Sequence, residues 1–201
     1  MSDRSKTGSP QYGLGRGQVF PAENARSLLN PLRRLVQSPK RTVAALGIQP
    51  GSNVLEVGPG PGFFTPMLSD AAGPGCVVLI DLQFEMVDLA RQRTTAAGKR
   101  NVAVSQGDAA VLPFAAATFD TALVATVLGE LPQPDRLVGE LARVLRAGGI
   151  VGVAETRRDS DFIRVTDLVE MFTRGGFEFV RRSGSRLQYV ATFRRPMTST
   201  P

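Results

Sequence analysis

The chain has 201 residues, 42% hydrophobic and 21% charged, with a net charge of +6, one cysteine and no histidine. That is enough chain for one domain with a full core and short extensions; it excludes a disulfide scaffold and an imidazole base, and no run approaches the ~18 apolar residues of a membrane-spanning helix. The opening MSDRSKTGSPQYGLGRGQ lacks the apolar segment of a signal peptide, so a reducing, cytoplasmic setting is expected.

Charge is spread unevenly. Residues 1–46 carry eight Lys/Arg against two acids, residues 47–154 seven against ten, and residues 155–201 nine against six. A basic arm beside a mildly acidic body can attract nucleic acid, anionic lipid or an anionic substrate; it can equally be an arginine-rich solvated surface.

Residues 1–18, mostly Gly, Ser and polar residues around a lone Tyr12, read as a disordered arm. Residues 19–47 read as a helical lid. In it Asn30-Pro31 and Ser38-Pro39 each place a capping side chain before a proline, the N-cap and N1 pattern of a helix start. Leu32, Leu35 and Val36 give the first of these helices its apolar stripe. Val43, Ala44 and Leu46 do so for the second, which Gly47 can end.

From residue 48 to 196 the hydrophobic period alternates. Strand-like runs occupy Asn53–Val57, Cys76–Ile80, Val102–Ser105, Phe119–Ala125 and Ile150–Ala154. Between the last two, Leu137, Val138, Leu141, Val144 and Leu145 keep a helical period, with Gly148 and Gly149 as the expected stop. Near-continuous apolar strands alternating with helices predict a three-layer α/β/α, Rossmann-like fold around a mostly parallel sheet. GFEFVRR, SGS and RLQYVATF then predict an antiparallel hairpin at the sheet edge, before a tail at 197–201. Cys76, opening a buried strand, reads as core.

The first strand runs into Gly58-Pro59-Gly60-Pro61-Gly62. Glycines beyond a strand's carboxyl end let backbone approach a ligand that a Cβ would obstruct, although a tight structural turn uses them too. The G-x-G-x-G spacing differs from the dinucleotide pattern G-x-G-x-x-G. Glu56 lies just before the loop. Asp81 ends the second strand, where a carboxylate can accept both hydroxyls of a ribose, and Asp108 follows the third, where it can accept from an exocyclic amine. Either aspartate could instead cap the next helix.

Taken in order, VLEVGPGPG, VVLIDL, GDAAVLPF, FDTALVATVLGELP and LARVLRAGGIVGVAE resemble class I S-adenosylmethionine-dependent methyltransferases over roughly residues 40–195. The likeness is to the small-molecule branch that includes ubiquinone and menaquinone biosynthesis C-methyltransferases. It implies a seven-stranded sheet with a reversed last strand, S-adenosylmethionine as cofactor, and no metal. It also implies roles. Glu56, Gly58, Pro59, Gly60 and Gly62 surround the methionine portion; Asp81, with Leu82 beside it, takes the ribose; Asp108 and Ala109 take the adenine; Ala125 and Thr126 face the sulfonium.

Such a transfer is a direct displacement that needs alignment and exclusion of water more than covalent chemistry. Related enzymes often carry histidines after the fourth strand; Gly129 and Glu130 stand there in this chain. Glu130 is the candidate general base, against the plainer reading of a solvated or helix-capping glutamate. Tyr12, Phe20, Leu28 and Leu29 are candidates to line the acceptor site, against the plainer reading of ordinary packing for Phe20, Leu28 and Leu29. The short charged ETRRDSDFIRV segment predicts an accessible site and a lipophilic or planar small-molecule acceptor, with peripheral membrane contact compatible. The alternatives are an RNA or protein methyltransferase using the basic arm, or a cofactor-binding protein without catalysis.

Overall fold

The computed structural model describes residues 18–30, 33 and 37–197. The arm to residue 17 with Tyr12, the stripe Leu32, Leu35 and Val36, and the tail from residue 198 lie outside the described residues.

The first described helix is a 3-10 helix, Ala22–Leu29, which the sequence pattern does not announce. Helix α1, Pro39–Leu46, starts and stops as the capping residues predict. Ser38 accepts from the Arg41 N–H at 3.4 Å, and Gly47 closes the helix in the left-handed region at φ 64°.

The core alternates β1 Val54–Val57, α2 Thr65–Ala72, β2 Val77–Asp81, α3 Phe84–Ala96, β3 Val102–Gln106 and β4 Phe119–Ala125. It continues through α4 Pro134–Val144, β5 Leu145–Thr156, α5 Val165–Arg174, β6 Glu178–Gly184 and β7 Gln188–Arg194. The seven strands lie in the order β3-β2-β1-β4-β5-β7-β6. β1 to β5 pair in parallel, and β7 runs antiparallel between β5 and β6, so the hairpin is placed as expected with β6 outermost.

Strand residues alternate between two apolar layers. Val54, Leu79 and Leu123 pack with Leu46, Leu68 and Ala90 of α1 to α3; Leu55, Ile80 and Val124 pack with Leu137, Leu141 and Phe172 of α4 and α5. Burial on both faces is why these strands read as continuous apolar runs.

Two expectations change. α4 ends at Val144, not at Gly148–Gly149, because Leu145 already pairs with Phe119 of β4; the register shifts before Thr121, and Gly148, at φ 76°, belongs to that irregular stretch of β5. Cys76 precedes β2 and is half-buried, so it is not a core residue.

β1 leads outward to β2 and β3, and the chain then returns to the other side of β1 as β4. This switch point opens a crevice at the carboxyl ends of β1 and β4. Among the described residues no helix is long and apolar enough to cross a membrane.

Candidate active site

A cavity of about 630 Å³ lies over that crevice, within the ~300–1,000 Å³ usual for small-ligand sites. The glycine loop forms its floor. Gly58, Gly60 and Gly62 all have positive φ, at 62°, 52° and 78°. Gly58 is also a close approach: a Cβ there would stand 2.3 Å from Val127 Cγ2, beyond the end of β4. Gly58, Pro59 and Gly60 line the cavity as expected.

Gly62 and Glu56 do not. Gly62 packs against Ala90 of α3, and Glu56, 1% exposed, lies beneath the loop and accepts from Thr65 Oγ1 at 2.7 Å. The other oxygen of Glu56, Oε1, has no hydrogen-bond partner. Burial pushes this carboxyl up to about 7 against the Thr65 bond, with Asp81 adding to the rise. Glu56 thus braces α2 from beneath the loop through Thr65.

Asp81 lines the cavity and braces it. Its Oδ2 accepts from the Gly60 N–H at 3.2 Å and its Oδ1 from the Gln83 N–H at 3.1 Å. A carboxylate has about four acceptor directions, so both oxygens retain capacity for a ligand hydroxyl. Burial raises its pKa, opposed by those backbone donors. Leu82, Asp108 and Ala109 also line the cavity; Asp108 Oδ1 accepts from the Ala110 N–H at 2.8 Å and caps its own turn.

Ala125 and Thr126 form the wall at the end of β4. Thr126 has φ 53°, a strained conformation for a β-branched residue that costs on the order of 1–3 kcal/mol, and its N–H is tied to the Ala154 carbonyl at 2.9 Å.

Glu130 is half-buried and does not cap a helix. It ends a short 3-10 turn, Leu128–Glu130, faces the cavity, and accepts from the Phe20 N–H at 3.2 Å. Burial pushes its carboxyl up to about 8; the Phe20 bond opposes this, and Asp161, Asp81 and Asp159 reinforce it. Asp159 is raised to about 6 by burial and Asp161, with Arg33 opposing. Gly129 explains how this acidic wall closes: a Cβ there would stand 2.2 Å from the Asp161 carbonyl.

Several lining residues were not singled out in the sequence. Gln83 accepts from the Ala22 N–H at 3.1 Å and donates to the Phe20 carbonyl at 2.7 Å, holding residues 18–29 across the cavity. Arg33 sits 4.6 Å above the Phe63 ring and donates to Gln37 Oε1 at 3.0 Å, and the amide nitrogen of Gln37, a 1% exposed side chain, has no partner among the described residues. Such a donor beside the loop fits a ligand oxygen. Of the acceptor-site candidates among the described residues, Phe20 and Leu28 line the cavity and Leu29 does not. The short segment after β5 reaches the cavity through Thr156 and Arg158 to Asp161, so it forms a wall where an open side was expected.

A Rossmann-like sheet with an antiparallel last strand and a glycine-rich loop thus frame the cavity. Residues 54–149 match the family described as a methyltransferase domain. A phosphatidylethanolamine N-methyltransferase of Cereibacter sphaeroides is 38% identical over 119 residues, covering 59% of this chain and 57% of that protein. A demethylmenaquinone methyltransferase of Shouchella clausii is 31% identical over 118 residues, 58% and 50% of the respective chains. The chain therefore spans about half the length of the curated relatives it matches. An S-adenosylmethionine-dependent methyltransferase from Aquifex aeolicus shares the fold, with a TM-score of 0.83, 24% identity, and 88% of this chain and 100% of that one covered. The likeness to these two relatives is one of sequence, and that to the solved structure is one of fold.

Proposed function

We propose that this protein is an S-adenosylmethionine-dependent methyltransferase acting on a small lipophilic acceptor. The observation that carries the reading is one cavity lined by the glycine loop, Asp81, Asp108, Thr126 and Glu130. When bound, the cofactor supplies an electrophilic methyl group on a sulfonium. In this reading Asp81 holds the ribose hydroxyls, Asp108 and Ala109 the adenine, and the Gln37 nitrogen and Arg33 the methionine carboxylate. Residues 18–29 exclude water, and Ala125 and Thr126 position the sulfur side. Glu130 takes the proton that the acceptor gives up.

Charge favours an amine among the acceptors. Among the described residues five acids and two arginines line the cavity, on a chain whose net charge is +6. With Asp81 and Asp108 at the nucleoside, Glu130, Asp159 and Asp161 remain at the acceptor end. Clustered carboxylates attract an ammonium and repel an enolate or phenolate. Apolar Val19, Phe20, Leu28 and Leu131 beside them suit a lipophilic body. The names of the relatives include both an amine lipid and a quinone precursor. Formation of S-adenosylhomocysteine should be measured with ethanolamine phospholipids and with hydroquinones. Turnover with the amine supports the reading, turnover on the hydroquinone alone overturns the amine preference, and failure to bind the cofactor overturns the whole. A cytoplasmic setting accompanies the proposal.

A further inference from the structure

We propose that the turn between β6 and β7 seats the protein on an anionic phospholipid surface, with Leu187 at its tip and Arg157, Arg158, Arg182 and Arg186 around it. Leu187 is 66% exposed, and all four arginines are exposed. The turn is rigid: Ser185 donates its N–H to the Gln188 carbonyl at 2.7 Å, and its hydroxyl accepts from the Leu187 N–H at 3.1 Å. Arg157 joins it directly, its N–H donating to the Leu187 carbonyl at 2.9 Å.

None of the four arginines forms a salt bridge among the described residues, although Arg182 donates to the Ser185 carbonyl and lies 5.7 Å over the Tyr189 ring and Arg157 lies 6.0 Å over the Phe162 ring; neighbouring arginines are paired more fully. Arg164 pairs with Asp167, Arg174 with Glu170 and Asp135, and Arg181 reaches back to the Ala45 carbonyl. Guanidinium forks match phosphate oxygens, and an exposed leucine among them has a role only if something apolar lies between the phosphates. Nucleic acid suits the patch less well. Its tyrosine, Tyr189, is 2% exposed with its hydroxyl given to the Ile163 carbonyl, and so is not available for base stacking.

The patch adjoins the cavity, since Arg158 lines it and Arg157 holds the turn. A protein seated this way turns the 157–161 wall toward the lipid. The surface stands independently of methyl transfer, because binding is read without turnover.

The test is co-sedimentation of the full chain with phosphatidylcholine vesicles and with mixed phosphatidylcholine–phosphatidylglycerol vesicles, at two salt concentrations. Preference for the anionic vesicles, weakened by salt, is expected. The double variant Arg182→Glu/Arg186→Glu should lose roughly tenfold or more in vesicle affinity and Leu187→Ser severalfold, each with an unchanged circular dichroism melt. Arg4→Glu/Lys6→Glu, in the basic arm, should keep it. The proposal is overturned if the vesicles are not distinguished, if the arm variant loses binding while the turn variants keep it, or if the turn arginines capture duplex nucleic acid while vesicles are ignored.

Discussion

The two ends of the cavity are built in different ways. The proposed nucleoside end comes from consecutive strand ends: the loop after β1, Asp81 at the end of β2 and Asp108 after β3, positions that the parallel sheet aligns without help from distant chain. The acceptor end is assembled from segments far apart in sequence. Phe20 and Glu130 are 110 residues apart, and Gly129 meets Asp161 from another connection. The first end is a property of the fold, and the second is a property of this chain. A change at the nucleoside end should therefore act on cofactor affinity, and one at the acceptor end on turnover.

Asp81→Ala tests that division most severely. An ionised acceptor of two hydrogen bonds contributes ~1.5–3 kcal/mol per bond, so calorimetry should show cofactor affinity reduced by roughly 100-fold or more. The Gly60 and Gln83 N–H groups also lose their partner, which adds to the effect. Unchanged affinity would remove Asp81 from the site and with it the assignment of the nucleoside end.

Glu130→Gln should do the reverse, lowering kcat on the order of 100-fold with cofactor affinity nearly unaltered. The amide oxygen still accepts from Phe20, so the strap stays in place. A base must be ionised to act, and the Glu130 carboxyl is raised to about 8. The wild-type rate should therefore climb as pH rises toward 8, and this limb should flatten in the variant. An identical pH profile in both proteins would make Glu130 a latch for the N-terminal strap and nothing more.

The contrast also governs what could be read from sequence. The strands, their order of use, the glycine loop and the acids of the nucleoside end were legible, because strand periodicity and strand-end positions are local. The acceptor end was not. The burial of Glu130 depends on the 18–29 strap and on Asp159 and Asp161, none of which its own neighbourhood reveals. Arg33 was hidden in what reads as a run of surface charge, and Gln37 and Gln83 carry no motif. Even at the legible end the fold adds a distinction: Glu56 and Gly62 lie beneath the loop and do not line the cavity. Gly148–Gly149 misled because a glycine pair marks a bulge in a strand as well as the end of a helix.

Glu56 offers a subtler probe of the nucleoside end. Its carboxyl is held at about 7 in the folded protein, above the 4.5 of an unperturbed glutamate. The folded state then binds more protons than the unfolded state between those values. This contribution to stability is fully present below about 4.5 and is lost as pH rises through about 7. Unfolding of the wild type by denaturant should become easier over that interval by on the order of 2 kcal/mol, and Glu56→Gln should remove much of the slope. Glu130 and Asp159, also raised, contribute in the same direction, so some slope remains in the variant. A slope that persists undiminished would place the pH response at the other raised carboxyls, Asp81, Glu130 and Asp159.

The smallest effect lies where the two ends meet. Thr126 holds φ 53° at the cavity wall, and its neighbour Val127 packs against Gly58 of the loop. Thr126→Gly relieves that strain, offset by the greater freedom of glycine in the unfolded chain, for a net gain of ~1 kcal/mol or a rise in Tm of roughly 2–4 °C. If the strain serves to aim the end of β4 at the reacting centre, the same variant should turn over severalfold more slowly while binding cofactor almost normally. Higher stability with lower kcat would show that the conformation is retained for positioning. Loss of both would mean that the Thr126 side chain is itself a structural contact, and the strained backbone a consequence of packing between Val127 and the loop.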